Sequence, residues 1–222
     1  MTRRESSVFL RGLARFLSPG ALSESDWTRG DSRVLKRATP PSGFRPEPVM
    51  MKEMSVATLI SLEEYLHTSY HPDCDFIDGE VLERNVGKRE HSYAQGRTIG
   101  WFLRHQQTLL LEPMPEMRVQ VGAGRVRIPD VVVSEMPIPN EPVFTSPSYL
   151  YVEVMSPEDT MAGLQDRVDE YLKFGVPNIW VLDPWKHRGW RVTEAGWATA
   201  TDGIMRTADG KVAMPLQDVL LP

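Results

Sequence analysis

A mixed α/β fold is predicted by three features of this sequence. Two β-branched runs, "RIPDVVVSE" (127–135) and "YLYVEVMS" (149–156), have the nearly unbroken apolar character of strands buried on both faces. Segment 160–174 places Leu164, Val168, Tyr171 and Leu172 on one helical face, and "NIWVLDP" (178–184) is a further short buried strand. Residues 149–183 therefore read as strand, helix, strand, a crossover that should be right-handed and join parallel strands.

The remaining elements follow in chain order. In "SLEEYLHTS", Ser61 stands as N-cap of a short helix with Glu64 at the capping-box position. "CDFIDGEVLERN" is a hairpin turning at Asp78-Gly79, because that pair accepts the positive φ of a tight turn. "HSYAQGRTIGWFLRHQQTLL" carries helical apolar spacing at Ile99, Phe102 and Leu103. "EMRVQVGAGRVRIPDVVVSE" gives two strands around Gly122-Ala123-Gly124, and Gly175 stands where the 160–174 helix needs a C-cap. Residues 188–214 suggest weaker antiparallel strands, Trp101 and Trp180 are core by position, and Asp183 before Pro184 is a turn residue.

Residues 1–53 differ from the rest. "SPGALSESDWTRGDSR" and "ATPPSGFRPEPVMM" are rich in Ser, Pro, Gly and charge, which predicts a disordered extension or an over-long reading frame with the true start at Met50, Met51 or Met54. One domain is expected over 54–222. With 222 residues, 41% hydrophobic and 25% charged, the chain is long enough for a well-formed core, and no apolar run approaches the roughly eighteen residues of a membrane span. Cys74 is the single cysteine, which excludes an intramolecular disulfide and fits a reducing, cytoplasmic setting. Asp73 and Asp75 beside it disfavour a thiolate.

Of the chain's 25 Lys/Arg and 30 Asp/Glu, residues 1–53 hold ten and six, which leaves 54–222 at a net −9. That balance argues against tight non-specific binding of nucleic acid by charge alone, but leaves room for a local basic cleft or a metal bridging carboxylates to phosphate. Asp130 and Glu153 pose the sharper question, since each is a lone carboxylate in a run built for burial. Such a group must find a cationic partner, bind a metal or shift its pKa. If the strand ending at Asp130 pairs with the one carrying Glu153, the two acids meet at one end of the sheet, where a divalent cation relieves their repulsion. The plainer readings are a strand-end turn for Asp130 and a buried ion pair for Glu153, with Arg167 as its partner.

The segments "YLHTSYHPDCDFIDGEVLER", "RIPDVVVSE", "LYVEVMSPED" and "DEYLKFGVPNIWVLDP", in this order, resemble the restriction endonuclease-like branch of small bacterial proteins within the PD-(D/E)xK nuclease superfamily. The resemblance covers roughly residues 55–185. It implies a restriction endonuclease-like mixed sheet flanked by helices, and metal-dependent phosphodiester hydrolysis of nucleic acid, with DNA the expected partner and a homodimer one possible assembly. It further implies Asp130 and Glu153 as ligands of Mg²⁺ or Mn²⁺, the Val154 carbonyl as another oxygen donor, Asp75 as an auxiliary acid and His91 as a phosphate contact at a helix start.

One departure matters. The lysine that the superfamily places after its second acid is replaced by Met155, and the matching position on the following helix is Arg167. Arginine stays charged at any useful pH, so it can orient water or screen phosphate but not act as a general base. The same fold without cleavage, a nucleic-acid-binding or interaction module, is the alternative. His67 and His71 share a helix face, but Pro72 ends that helix and no third zinc ligand is evident.

Overall fold

The computed structural model describes residues 59–222 except Val86. The expectations for residues 1–53 and for the chain start lie outside the described residues.

Ser61 caps α1 (Leu62–Leu66), its hydroxyl accepting from the Glu64 amide at 3.0 Å. The hairpin β1 (Cys74–Ile77) and β2 (Glu80–Glu83) turns at Asp78-Gly79, both at positive φ. Then come α2 (Arg89–Leu109), the strands β3 (Leu111–Pro115), β4 (Val119–Gly122), β5 (Arg125–Arg127), β6 (Val131–Glu135) and β7 (Leu150–Val154), and α3 (Met161–Phe174). The chain closes with β8 (Ile179–Asp183), β9 (Arg188–Thr193), β10 (Gly196–Thr199), β11 (Ile204–Arg206) and β12 (Ala213–Pro215).

The strands form a central sheet of order β10-β9-β8-β7-β6-β3, a smaller sheet β2-β1-β5-β4, and the pair β11-β12. In the central sheet only β7 and β8 are parallel, joined through α3, and every other neighbour is antiparallel. This is the predicted mixed α/β architecture.

Period-2 alternation assigns the two faces. Val131, Val133, Leu150, Val152, Val154, Trp180 and Leu182 pack with Ala94, Trp101 and Phe102 of α2 and with Met205, Met214 and Leu216. Val132, Tyr151, Ile179 and Val181 pack with Leu164, Val168 and Tyr171 of α3. Both faces are covered, which is why these strands are apolar throughout. In α2 the buried stripe includes Ala94, Thr98, Trp101 and Phe102, while Leu103, expected inside, is 48% exposed. The buried stripe is thus narrower than the apolar spacing predicted.

Two further differences concern strands. β3 was not anticipated, because Pro113 and Pro115 break a strand pattern; it is an edge strand, where a missing amide is tolerated. The segment after Gly124 is also two strands, not one. β5 pairs with β1 in the small sheet and β6 with β7 in the central one, and Pro129, which cannot continue a ladder, separates them.

α3 ends as predicted at Gly175, φ 94°, whose amide donates to the Tyr171 and Leu172 carbonyls. A Cβ there would meet nothing closer than Pro147 at 3.9 Å, so Gly175→Ala costs backbone strain alone. We expect a loss of about 1–2 kcal/mol in urea unfolding.

Candidate active site

β6 begins at Val131, opposite Val152 of β7. Extending that antiparallel register by one residue sets Asp130, in the bend after Pro129, opposite Glu153. Asp130 thus reaches Glu153 from just before a strand, not from the end of one. Glu153 shares its face with Tyr151, the face covered by α3. Both acids are 3% exposed, and they line one cleft of about 290 Å³ together with Asp75, Arg84, His91 and Arg167.

The protein supplies partners for both carboxylates, as the cationic-partner reading of a buried acid requires. Asp130 Oδ1 accepts from Arg84 Nη2 at 2.7 Å, and Oδ2 accepts from the Val154 amide at 2.7 Å and from His91 Nε2 at 3.2 Å. Burial pushes the Asp130 carboxyl up, but His91, Arg84 and the Val154 amide outweigh it and hold the group below its ordinary value. For His91, burial opposes charge, yet the bond to Asp130 raises the imidazole above its ordinary value.

Glu153 is less well served. Tyr171 Oη donates to Oε1 at 2.6 Å, while Arg167 Nε stands 3.5 Å from Oε2 and its Nη2 3.3 Å from Asp159. Burial pushes this carboxyl up to about 7; Arg167 pulls it down and Asp130 pushes it up further. Arg167 is therefore the ion-pair partner of Glu153, and its own pKa is raised: burial opposes the charge, and Glu153, Tyr171 and Asp159 overcome it.

Other predicted residues take different places. Asp75 is held by Arg127 Nη1 at 2.8 Å and by the Ile128 amide at 3.1 Å, and Arg127 also bridges to Glu170 of α3 at 2.7 Å. Asp75 lines the cleft wall but serves to fix β5 and the Pro129 bend. His91 is 7% exposed and turned to Asp130 rather than free at a helix start. Val154 meets the site through its amide. Met155 packs partly buried on the α3 side, with no role toward the acids. Cys74 is buried, and burial raises its thiol pKa ahead of Asp73, Glu83 and Asp75. His67 Nδ1 is taken by the Glu63 carbonyl at 2.8 Å, and Asp183 caps its turn by accepting from the Trp185 and Lys186 amides.

Arg84 and Tyr171 were missed as site residues. Tyr171 was legible in principle, since it lies four residues after Arg167 and so on the same helix face. Arg84 carries no such signal, because a lone arginine after a hairpin strand is usually solvated.

The donor chemistry suits a hard dication. Asp130 engages three of the four acceptor positions of a carboxylate, leaving one on Oδ1, and Glu153 Oε2 meets only the 3.5 Å ion-pair contact. Among the described residues no set of three or more Asp, Glu, His or Cys side chains gathers to hold a metal. The protein ligands would be these two acids, the remainder coming from water and substrate, as suits Mg²⁺.

No curated protein matches the sequence. A solved structure, a "putative nuclease belonging to DUF820" from Anabaena variabilis ATCC 29413, superposes with a TM-score of 0.63 at 16% identity, covering 72% of this chain and 97% of that one. At that identity the likeness establishes the shared restriction endonuclease-like fold. The profile of the family Uma2, described as "Putative restriction endonuclease", matches residues 62–200, more than half of the chain. The chain therefore belongs to the Uma2 family of restriction endonuclease-like proteins.

Proposed function

We propose that the protein is a Mg²⁺- or Mn²⁺-dependent endonuclease that hydrolyses phosphodiester bonds in DNA. The observation that carries this reading is the pair Asp130 and Glu153, brought together in one cleft from adjacent strand positions and each keeping acceptor capacity. Bound between them, a divalent cation would polarise a phosphoryl oxygen and lower the pKa of a water. Asp130 would hold it through Oδ1 and Glu153 through Oε2. The Val154 amide and His91 fix the Asp130 carboxylate, and Tyr171 fixes Glu153, so neither acid needs to reorganise. Arg167 supplies positive charge at the cleft, where phosphate would sit. The chain has no lysine base at position 155, so proton removal from water would rest on the cation lowering the pKa of that water.

The test is nicking of supercoiled plasmid with Mg²⁺ or Mn²⁺. Asp130→Asn should lower the rate by about 100-fold or more. Equal nicking by both proteins would remove the assignment. Plasmid binding without nicking by the unaltered protein would instead favour a binding module, a reading supported by Met155 and by the engagement of Arg167 with Glu153 and Asp159.

A further inference from the structure

We propose that Arg84 is a displaceable counter-ion that occupies Asp130 until a divalent cation takes its place. This rests on the reading of Asp130 and Glu153 as a metal site.

Arg84 follows β2 and reaches over 46 residues of sequence to Asp130. Its side chain is 20% exposed, whereas that of Arg127 is 10% exposed and tied by short bonds to both Asp75 and Glu170. Arg84 makes one short bond, to Asp130 Oδ1, the oxygen that retains acceptor capacity. A second carboxylate, Glu116, stands 3.9 Å from its Nη1 and is 55% exposed. The guanidinium thus has a tight station inside the cleft and a looser one toward solvent. A dication on Oδ1 would lie beside a guanidinium on the same atom, with twice the repulsion of two unit charges. Asp130 cannot hold both at full strength, and Arg84, with Glu116 at hand, is the one free to leave.

The arrangement predicts competition between the side chain and the ion. Titrating the full-length protein with Mn²⁺ by calorimetry, Arg84→Gln should bind about tenfold more tightly than the unaltered protein, and Arg84→Lys should fall between them. Mn²⁺ should also raise the melting temperature of Arg84→Gln by more than that of the unaltered protein. Binding by Arg84→Gln and Arg84→Lys that is no tighter than that of the unaltered protein, while Asp130→Asn binds no Mn²⁺, would overturn the exchange and leave the metal site standing. Absence of Mn²⁺ binding in every variant and in the unaltered protein would overturn both.

Discussion

Asp130→Ala is expected to lower the free energy of unfolding by about 3–5 kcal/mol at pH 7, the usual cost of breaking a buried charge pair from one side. The substitution leaves Arg84, His91 and the Val154 amide without the acceptor they share. For a chain of this size that is a fall of roughly 6–20 °C in melting temperature. Asp130→Asn should cost less, because its side-chain oxygen still accepts from the Val154 amide. Removing Asp202, whose pair with Arg206 is about half exposed on both sides, should leave stability close to that of the parent, because solvent screens the pair. Urea denaturation of the three variants checks the ranking, and an Asp130→Ala chain as stable as the parent would show that the acid is not the anchor of this cluster.

Stability should also fall as pH rises from 4.5 to 7. Glu153 has its folded pKa raised to about 7 from an ordinary 4.5, with burial the main cause. Between those values the folded chain binds a proton that the unfolded chain has released, so the slope of unfolding free energy against pH is negative. At about 1.4 kcal/mol per pH interval, the decline attributable to Glu153 is about 3 kcal/mol. His91, also raised, contributes stability that is complete below 6.5 and lost as pH climbs through its folded value, which extends the decline. Asp130 acts in the other direction and in another window: its contribution is present above 3.8 and fades as pH falls below. Glu153→Gln removes the first of these titrations, so unfolding measured at pH 5 and pH 7.5 should show most of the difference vanish in that variant. An undiminished pH slope would assign the effect to other groups.

The fold was largely legible because its strongest signals are local. Ser61 and Gly175 cap helices by backbone geometry, Asp78-Gly79 turns a hairpin, and the β6, β7 and β8 runs are apolar because helices or loops cover both their faces. Asp130 and Glu153 stood out for the same reason, as charges where the pattern calls for none. What escaped depends on long-range placement. Arg84 meets Asp130 only because the small sheet brings the end of β2 to the central one, and nothing local in "EVLERN" encodes that. Likewise, the break between β5 and β6 reflects which sheet each strand joins, a choice that Pro129 permits but does not specify.

The prolines of β3 carry a last implication, about growth of the sheet rather than its chemistry. A strand admits proline where the ring nitrogen faces away from its ladder, and Pro113 and Pro115, two residues apart, direct theirs to the same outer side of the strand beyond β6. That rim therefore offers carbonyls but lacks donors at both positions, so another chain laid alongside it would find no matching ladder. Self-association that continues the sheet past β3 is therefore opposed at these two positions.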